Sequence, residues 1–395
     1  MTADAIWLGA DAPEALAAAL IERGYRVVGP RVEEEDLVLS DLAPGETLPR
    51  GWADEAAPGR YRLVPGPDGT PAAAERFGFR VGAHSWKRFL HPPEALVFRA
   101  RRDRVEGLTL QPPPAPERPL ALLGVRPCDL AAIGVQTHVL TGGPHVDPGY
   151  VARRDGAFLV AVECTHPGAT CFCASMGTGP GVESGFDVVL TELLDDAHHG
   201  FVARAGSDRG AELLASLDGR EATSAEQAER AAAIEAAERS MGRTLDLDAA
   251  RQALAQGAEL RLWEDVAERC LACANCTLVC PTCFCTTVED TTDLEGRVAE
   301  RHRRWDSCFG IEFSYLHGGS VRQSVAARYR QWLTHKLSTW FDQFGEAGCV
   351  GCGRCIAWCP VGIDITEEAA VAITQQREAA KVRPHRGPAG RGRRR

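Results

Sequence analysis

No stretch of this chain approaches the roughly 18 consecutive apolar residues that a membrane-spanning helix needs. The amino terminus, Met1 to Gly9, lacks both a basic leader and a long apolar segment. No secretory signal or bilayer anchor is therefore expected, and the expected compartment is the cytoplasm. Histidines number 11, yet none pairs with another at metal-ligand spacing. Also missing are a nucleophile elbow, a phosphate-binding loop and any histidine–carboxylate grouping suited to acid–base work, so no catalytic residue is assigned. An excess of positive charge is absent too: 44 lysines and arginines stand against 54 acidic residues, a net charge of −10. That balance argues against nucleic-acid binding and for a soluble protein that docks to other proteins.

Cysteine, in contrast, is plentiful, with 15 in 395 residues. In a reducing compartment that number points to metal rather than to disulfides. Eight of the fifteen form two copies of one pattern, Cys270-x2-Cys273-x2-Cys276-x3-Cys280-Pro281 and Cys349-x2-Cys352-x2-Cys355-x3-Cys359-Pro360. This is the bacterial ferredoxin spacing, in which three thiolates on a tight loop grip one cubane and the fourth ligates the neighbouring cluster. Crossed ligation assigns Cys270, Cys273, Cys276 and Cys359 to one [4Fe-4S] cluster, and Cys349, Cys352, Cys355 and Cys280 to the other. Ala272, Ala274, Gly351 and Gly353 are small enough to let backbone N–H groups approach the sulfurs and tune the potential. Pro281 and Pro360 bend the chain just beyond each fourth cysteine. Zinc is the competing reading, but it asks for two ligand pairs separated by a longer loop.

The expected fold class is α+β. Residues 1–205 form an N-terminal α/β domain with a mostly parallel sheet, and residues 206–262 a helical connector. Residues 263–370 form a mainly helical, ferredoxin-like 4Fe-4S dicluster domain with a long insertion, and residues 371–395 a basic, disordered tail. From Asp11 to Gly24 apolar residues recur at helical spacing, and Arg26 to Val28 reads as a short strand. Leu120 to Val125, Phe158 to Val162 and Phe186 to Leu190 read as buried strands. Glu33 to Asp36 is most simply a solvated turn. Between Ala211 and Glu268 the sequence is rich in Ala, Glu and Arg, hence helical. The insertion, Thr286 to Gly348, carries an aromatic stripe, Val325, Tyr329, Trp332, Leu333, Trp340, Phe341 and Phe344, which reads as core, with a partner-facing helix as the alternative. The glycine-rich segment Gly177 to Gly181 lacks a following helix and is a plain loop rather than a nucleotide site.

Seven cysteines lie outside the two runs. Cys128 and Cys164 each follow a predicted strand, at the sheet edge where open parallel sheets bind ligands. Cys171 and Cys173 come shortly after, so four thiols could converge on a third iron–sulfur cluster; simple packing of free cysteines is the equal alternative. Cys283, Cys285 and Cys308 could shield a cluster or bring up a further ligand, and spacing does not decide between these.

Four features together, Gly124-Val125-Arg126-Pro127-Cys128-Asp129-Leu130, Cys164-x6-Cys171-Phe172-Cys173, Gly185-Phe186-Asp187 and the two ferredoxin runs flanking Trp305-Asp306-Ser307-Cys308, carry a resemblance. From about Ala5 to Ile365 the chain resembles the beta subunits of cytosolic multisubunit nickel–iron hydrogenases, also called sulfhydrogenases, and a related component of anaerobic sulfite reductase. The resemblance implies an iron–sulfur electron-transport subunit of an oxidoreductase complex. Its implied partners are a flavin subunit that exchanges electrons with NAD(P)H and the small and large subunits of a nickel–iron hydrogenase. In the sulfite reductase relative, electrons pass instead to a siroheme subunit. The competing reading, of a different class, is a reductase in its own right that uses the cleft near Cys128 and Cys164 on a sulfur substrate.

Overall fold

The computed structural model describes residues 5–66, 70–80, 82–103, 105, 107–195 and 198–382. The Arg-rich end of the expected tail, residues 383–395, lies outside them. Residues 371–382 were expected in that tail, but they continue the helix Ile365–Val382. Ala369 and Ala372 are fully buried on it and Ile373 packs beside them, which is enough apolar surface to hold an otherwise polar segment helical.

The first half of the chain is organised by an eight-stranded sheet. Its order is Gly219–Glu221, Ile6–Gly9, His199–Ala205, Val188–Leu194, Phe158–Val162, Leu120–Val125, Arg26–Glu33 and Asp36–Asp41. The four strands from Val188–Leu194 to Arg26–Glu33 run parallel and form the middle of the sheet. Antiparallel strands flank them on both sides. Leu120–Val125 and Phe158–Val162 are buried at every position, as continuous apolar runs covered on both faces should be. The helix Ala12–Glu22 starts with Pro13 in its first turn, buries Leu16, Ala17 and Leu20 against the sheet, and stops before Gly24, whose φ of 86° an L side chain would resist. The acidic turn is the tip of the hairpin joining the last two strands, with Glu34 at φ 57°.

One strand begins later than the apolar pattern suggested. Val188–Leu194 replaces Phe186 to Leu190; Asp187 stands just before it, its side chain accepting from Leu159 N at 2.8 Å, Ser207 Oγ at 2.6 Å and Arg209 Nε at 2.7 Å. The connector holds the helices Asp208–Ala215, Ser224–Arg239, Leu247–Gln256 and Leu262–Ala267, and Gly219–Glu221 adds an edge strand to the large sheet. Ser224–Arg239 opens with a reciprocal cap between Thr223 and Glu226.

A second, four-stranded antiparallel sheet was not foreseen. It pairs Thr286–Thr292 and Val298–Trp305 from the insertion with Glu94–Asp103 and Gly107–Gln111 from the N-terminal half. The insertion is thereby stitched to the first domain. The aromatic stripe forms one continuous rod, Val325–Thr334, a π turn at His335–Thr339, and Trp340–Phe344. Of the stripe, Tyr329, Trp332, Leu333 and Trp340 are buried, joined by Leu337, while Val325, Phe341 and Phe344 are half-buried, so its middle is core. It packs with Phe172, Phe309, Ile356 and Ile363, and the cysteines of both runs lie against this cluster.

Leu16 is fully buried far from any cysteine. Leu16→Ala should lower stability by about 2–5 kcal/mol in urea denaturation and leave the iron content unchanged. Wild-type stability in that variant would contradict the packing of this helix on the sheet.

Candidate metal centres

The two cysteine runs have the same backbone. Ala272 and Ala274 in the first, and Gly351 and Gly353 at the equivalent places in the second, all adopt left-handed φ between 50° and 72°. These turns aim backbone N–H groups inward: Ala272 N donates to Cys270 Sγ at 3.4 Å and Gly351 N to Cys349 Sγ at 3.4 Å. Alanine is accommodated in the first run, where Ala272 and Ala274 are half-buried against the core and line the first cavity. Glycine is required in the second, where a Cβ on Gly351 would come within 2.6 Å of the Phe172 and Cys173 backbone, and one on Gly353 within 2.3 Å of Thr170 O. After each loop a short helix, Asn275–Leu278 or Arg354–Ala357, carries the third cysteine. The fourth follows just beyond the helix end.

That fourth residue changes sides. Cys270, Cys273, Cys276 and Cys359 line one cavity beneath Phe309, Tyr329 and Trp332, with Cys355 at its wall. Cys280 instead joins Cys349, Cys352 and Cys355 around a second cavity, beneath Trp332 and beside Lys336. Ile363 N donates to Cys359 Sγ at 3.3 Å, and Asn275 Nδ2 to Trp358 O at 3.2 Å, tying the two short helices together.

Burial dominates the thiol chemistry. It pushes Cys276 and Cys355 well above the usual thiol range and Cys349 up to about 12. These groups therefore remain protonated until a metal displaces the proton. Within the two runs Cys280 is the exception, held well below the ordinary value first by a hydrogen bond from Cys283, then by Lys336, Thr282 and Lys87. Burial alone would lower the pKa of Lys336; the sulfurs of Cys280, Cys283 and Cys349 outweigh it and keep the ammonium charged. Its Nζ donates to Thr282 Oγ1 at 2.8 Å and Gly348 O at 2.9 Å. Lys336 sits in the π turn, where the widened helix lets it face the second cavity, and sequence spacing gave no sign of it.

The donor set separates iron–sulfur clusters from zinc. Zinc–sulfur bonds of about 2.3 Å place tetrahedral thiolates roughly 3.8 Å apart. Among the described residues, no three cysteine sulfurs lie mutually within 4.8 Å. A cubane, with irons and sulfides between its thiolates, fits the wider rings.

The remaining cysteines form two further groups. Cys128, Cys164, Cys171 and Cys173 converge on a third cavity. Cys283 donates a hydrogen bond to Cys280, which lines the second cavity, and Cys308 donates one to Cys285. The ion pair of Arg354 with Asp129, at 2.8 and 2.9 Å and with both side chains buried, lines the third cavity. Arg354 lies inside the second cysteine run, and a charged residue at that place was the available signal for it.

A family profile described as a 4Fe-4S dicluster domain matches residues 269–363, which span both runs and the whole insertion. Sulfhydrogenase 2 subunit beta of Pyrococcus furiosus is 32% identical over 283 residues, covering 70% of this chain and 79% of that protein. The chain belongs to the sulfhydrogenase beta-subunit family. As a member of it, the protein is an iron–sulfur, electron-transport subunit of the hydrogenase class of oxidoreductases. No solved structure matches the chain. Among the described residues of this sulfhydrogenase-type protein, no helix is long and apolar enough to cross a membrane.

Asp129→Ala leaves the buried Arg354 guanidinium without its counter-ion, and should cost about 3–5 kcal/mol. Denaturation of the intact holoprotein measures this. A loss below about 1 kcal/mol would mean that water reaches the pair and that it does not clamp the second run to the helix Pro127–Thr141.

Proposed function

We propose that this protein relays single electrons in a cytoplasmic complex, between a flavin subunit that handles NAD(P)H and the small and large subunits of a nickel–iron hydrogenase. Two [4Fe-4S] clusters serve the relay, one held by Cys270, Cys273, Cys276 and Cys359, the other by Cys349, Cys352, Cys355 and Cys280. The observation that carries this reading is the exchange of fourth cysteines: each run sends its last thiol into the cavity of the other. Such exchange keeps two clusters close and fixed relative to each other.

When bound, the clusters supply reversible one-electron chemistry, and the chain supplies the setting. Phe309, Tyr329 and Trp332 exclude water from the first cavity, while the N–H groups of Ala272, Gly351 and Ile363 partner sulfur and favour the reduced state. Lys336 places a buried positive charge beside the second cavity, where added electron density is otherwise costly. The first cavity reaches the surface at Cys273 and the 65% exposed Leu271, an outlet for exchange with a docked partner.

Cys276→Ala and Cys359→Ala should each abolish the same EPR signal and about half of the ferredoxin-type iron, although the two residues come from different runs. Loss of different signals would refute the crossed assignment. Anaerobic affinity purification of the full chain should bring down nickel and flavin; siroheme in their place would move the protein to the sulfite reductase branch.

A further inference from the structure

Two cysteine pairs far apart in sequence meet at the carboxyl edge of the parallel sheet. Cys128 follows the strand Leu120–Val125 and lies in the first turn of the helix Pro127–Thr141. Cys164 follows the neighbouring strand Phe158–Val162, and Cys171 and Cys173 return on the next loop. All four line one cavity. None is needed by the two ferredoxin-type sites, and none is in a disulfide.

We propose that Cys128, Cys164, Cys171 and Cys173 hold a third iron–sulfur cluster, of the cubane type. Size is the first argument. This cavity measures about 40 Å³, against about 30 and 20 Å³ in the two ferredoxin-type cavities. Thiols that merely packed as small apolar groups would close such a space. The sulfurs are also spread too widely for zinc, since no three among the described residues approach within 4.8 Å of one another.

Charge is the second argument. Arg80, Arg126 and Arg354 all line the cavity. Arg80 is paired with Asp54 and also reaches Cys171 Sγ at 4.0 Å, and Arg354 is paired with Asp129. Arg126 is buried, and among the described residues its guanidinium donates only to backbone carbonyls, those of Phe77, Phe79 and Glu163. A buried cation with no carboxylate partner is costly unless an anion stands near it. Four thiolates around a cubane supply that anion, and the amino-terminal end of the helix Pro127–Thr141 adds favourable dipole charge at Cys128.

The site is also built against its neighbour. Phe172 N donates to Gly351 O at 2.8 Å, Thr178 Oγ1 donates to Val350 O at 2.7 Å, and Cys352 lines both this cavity and the second one. An electron leaving the second site therefore reduces the third by one unit, with no proton or bond exchanged. That relay role rests on the proposed function, whereas metal binding at these four cysteines does not.

The test is iron and acid-labile sulfide per full-length chain, purified anaerobically, with zinc measured alongside. The wild type should carry about 12 iron atoms, not about 8. Cys164→Ser/Cys173→Ser should lose about 4 of them while keeping both ferredoxin-type EPR signals, which also report that the variant is folded. About 8 iron atoms in the wild type would overturn the proposal, as would one zinc per chain that disappears in the double variant. If the double variant fails to fold, the wild-type iron count still decides.

Discussion

Burying sulfur charge is the constraint on which the rest of the structure depends. Thiolates in a low-dielectric interior are tolerable only where metal, N–H groups and cations share the charge. The cysteine runs lie beneath an aromatic and aliphatic core built from Tyr329, Trp332, Leu333 and Ile356. That core excludes water and also removes the ordinary means of solvating charge. The left-handed turns at Ala272, Ala274, Gly351 and Gly353, the ammonium of Lys336 and the guanidiniums beside the third cavity are the replacements.

The same demand explains why a ferredoxin-type module is embedded in a larger chain. Its second loop presses against the segment from Thr170 to Cys173 so tightly that only glycine fits at 351 and 353. Arg354 reaches out of that loop to Asp129 on the helix that carries Cys128 in its first turn. The polar sheet joining Thr286–Thr292 and Val298–Trp305 to Glu94–Asp103 fastens the insertion to the first half. Rigid attachment keeps the cavities at fixed separation, which suits electron transfer better than a module on a flexible tether.

Much of this was legible in the sequence because the decisive signals are local. Cysteine spacing is set by what one loop can wrap around, and the strands Leu120–Val125 and Phe158–Val162 are continuous apolar runs bounded by turns. What was missed depends on partners distant in sequence. Thr286–Thr292 has no apolar alternation, and its sheet is laced by exposed pairs such as Arg301–Asp290 and Arg99–Glu300, invisible until the strands are aligned. Lys336 reads as one more solvated lysine on a helix until the π turn brings it to the second cavity. The predicted strand from Phe186 begins instead at Val188, after Asp187, whose side chain ties Leu159, Ser207 and Arg209 together, contacts far apart in sequence. The residues from 371 to 382 read as tail because the apolar face of their helix is made largely of alanines, which signal burial weakly.

The central claim is that the chain holds its clusters as one contiguous relay. Low-temperature EPR of the fully reduced, full-length chain tests it most directly, because reduced clusters held close together couple magnetically. The account predicts broadened, split signals that narrow when Cys276→Ala removes one member. Sharp, independent signals that sum without interaction, and that the variant leaves unchanged in width, would contradict it.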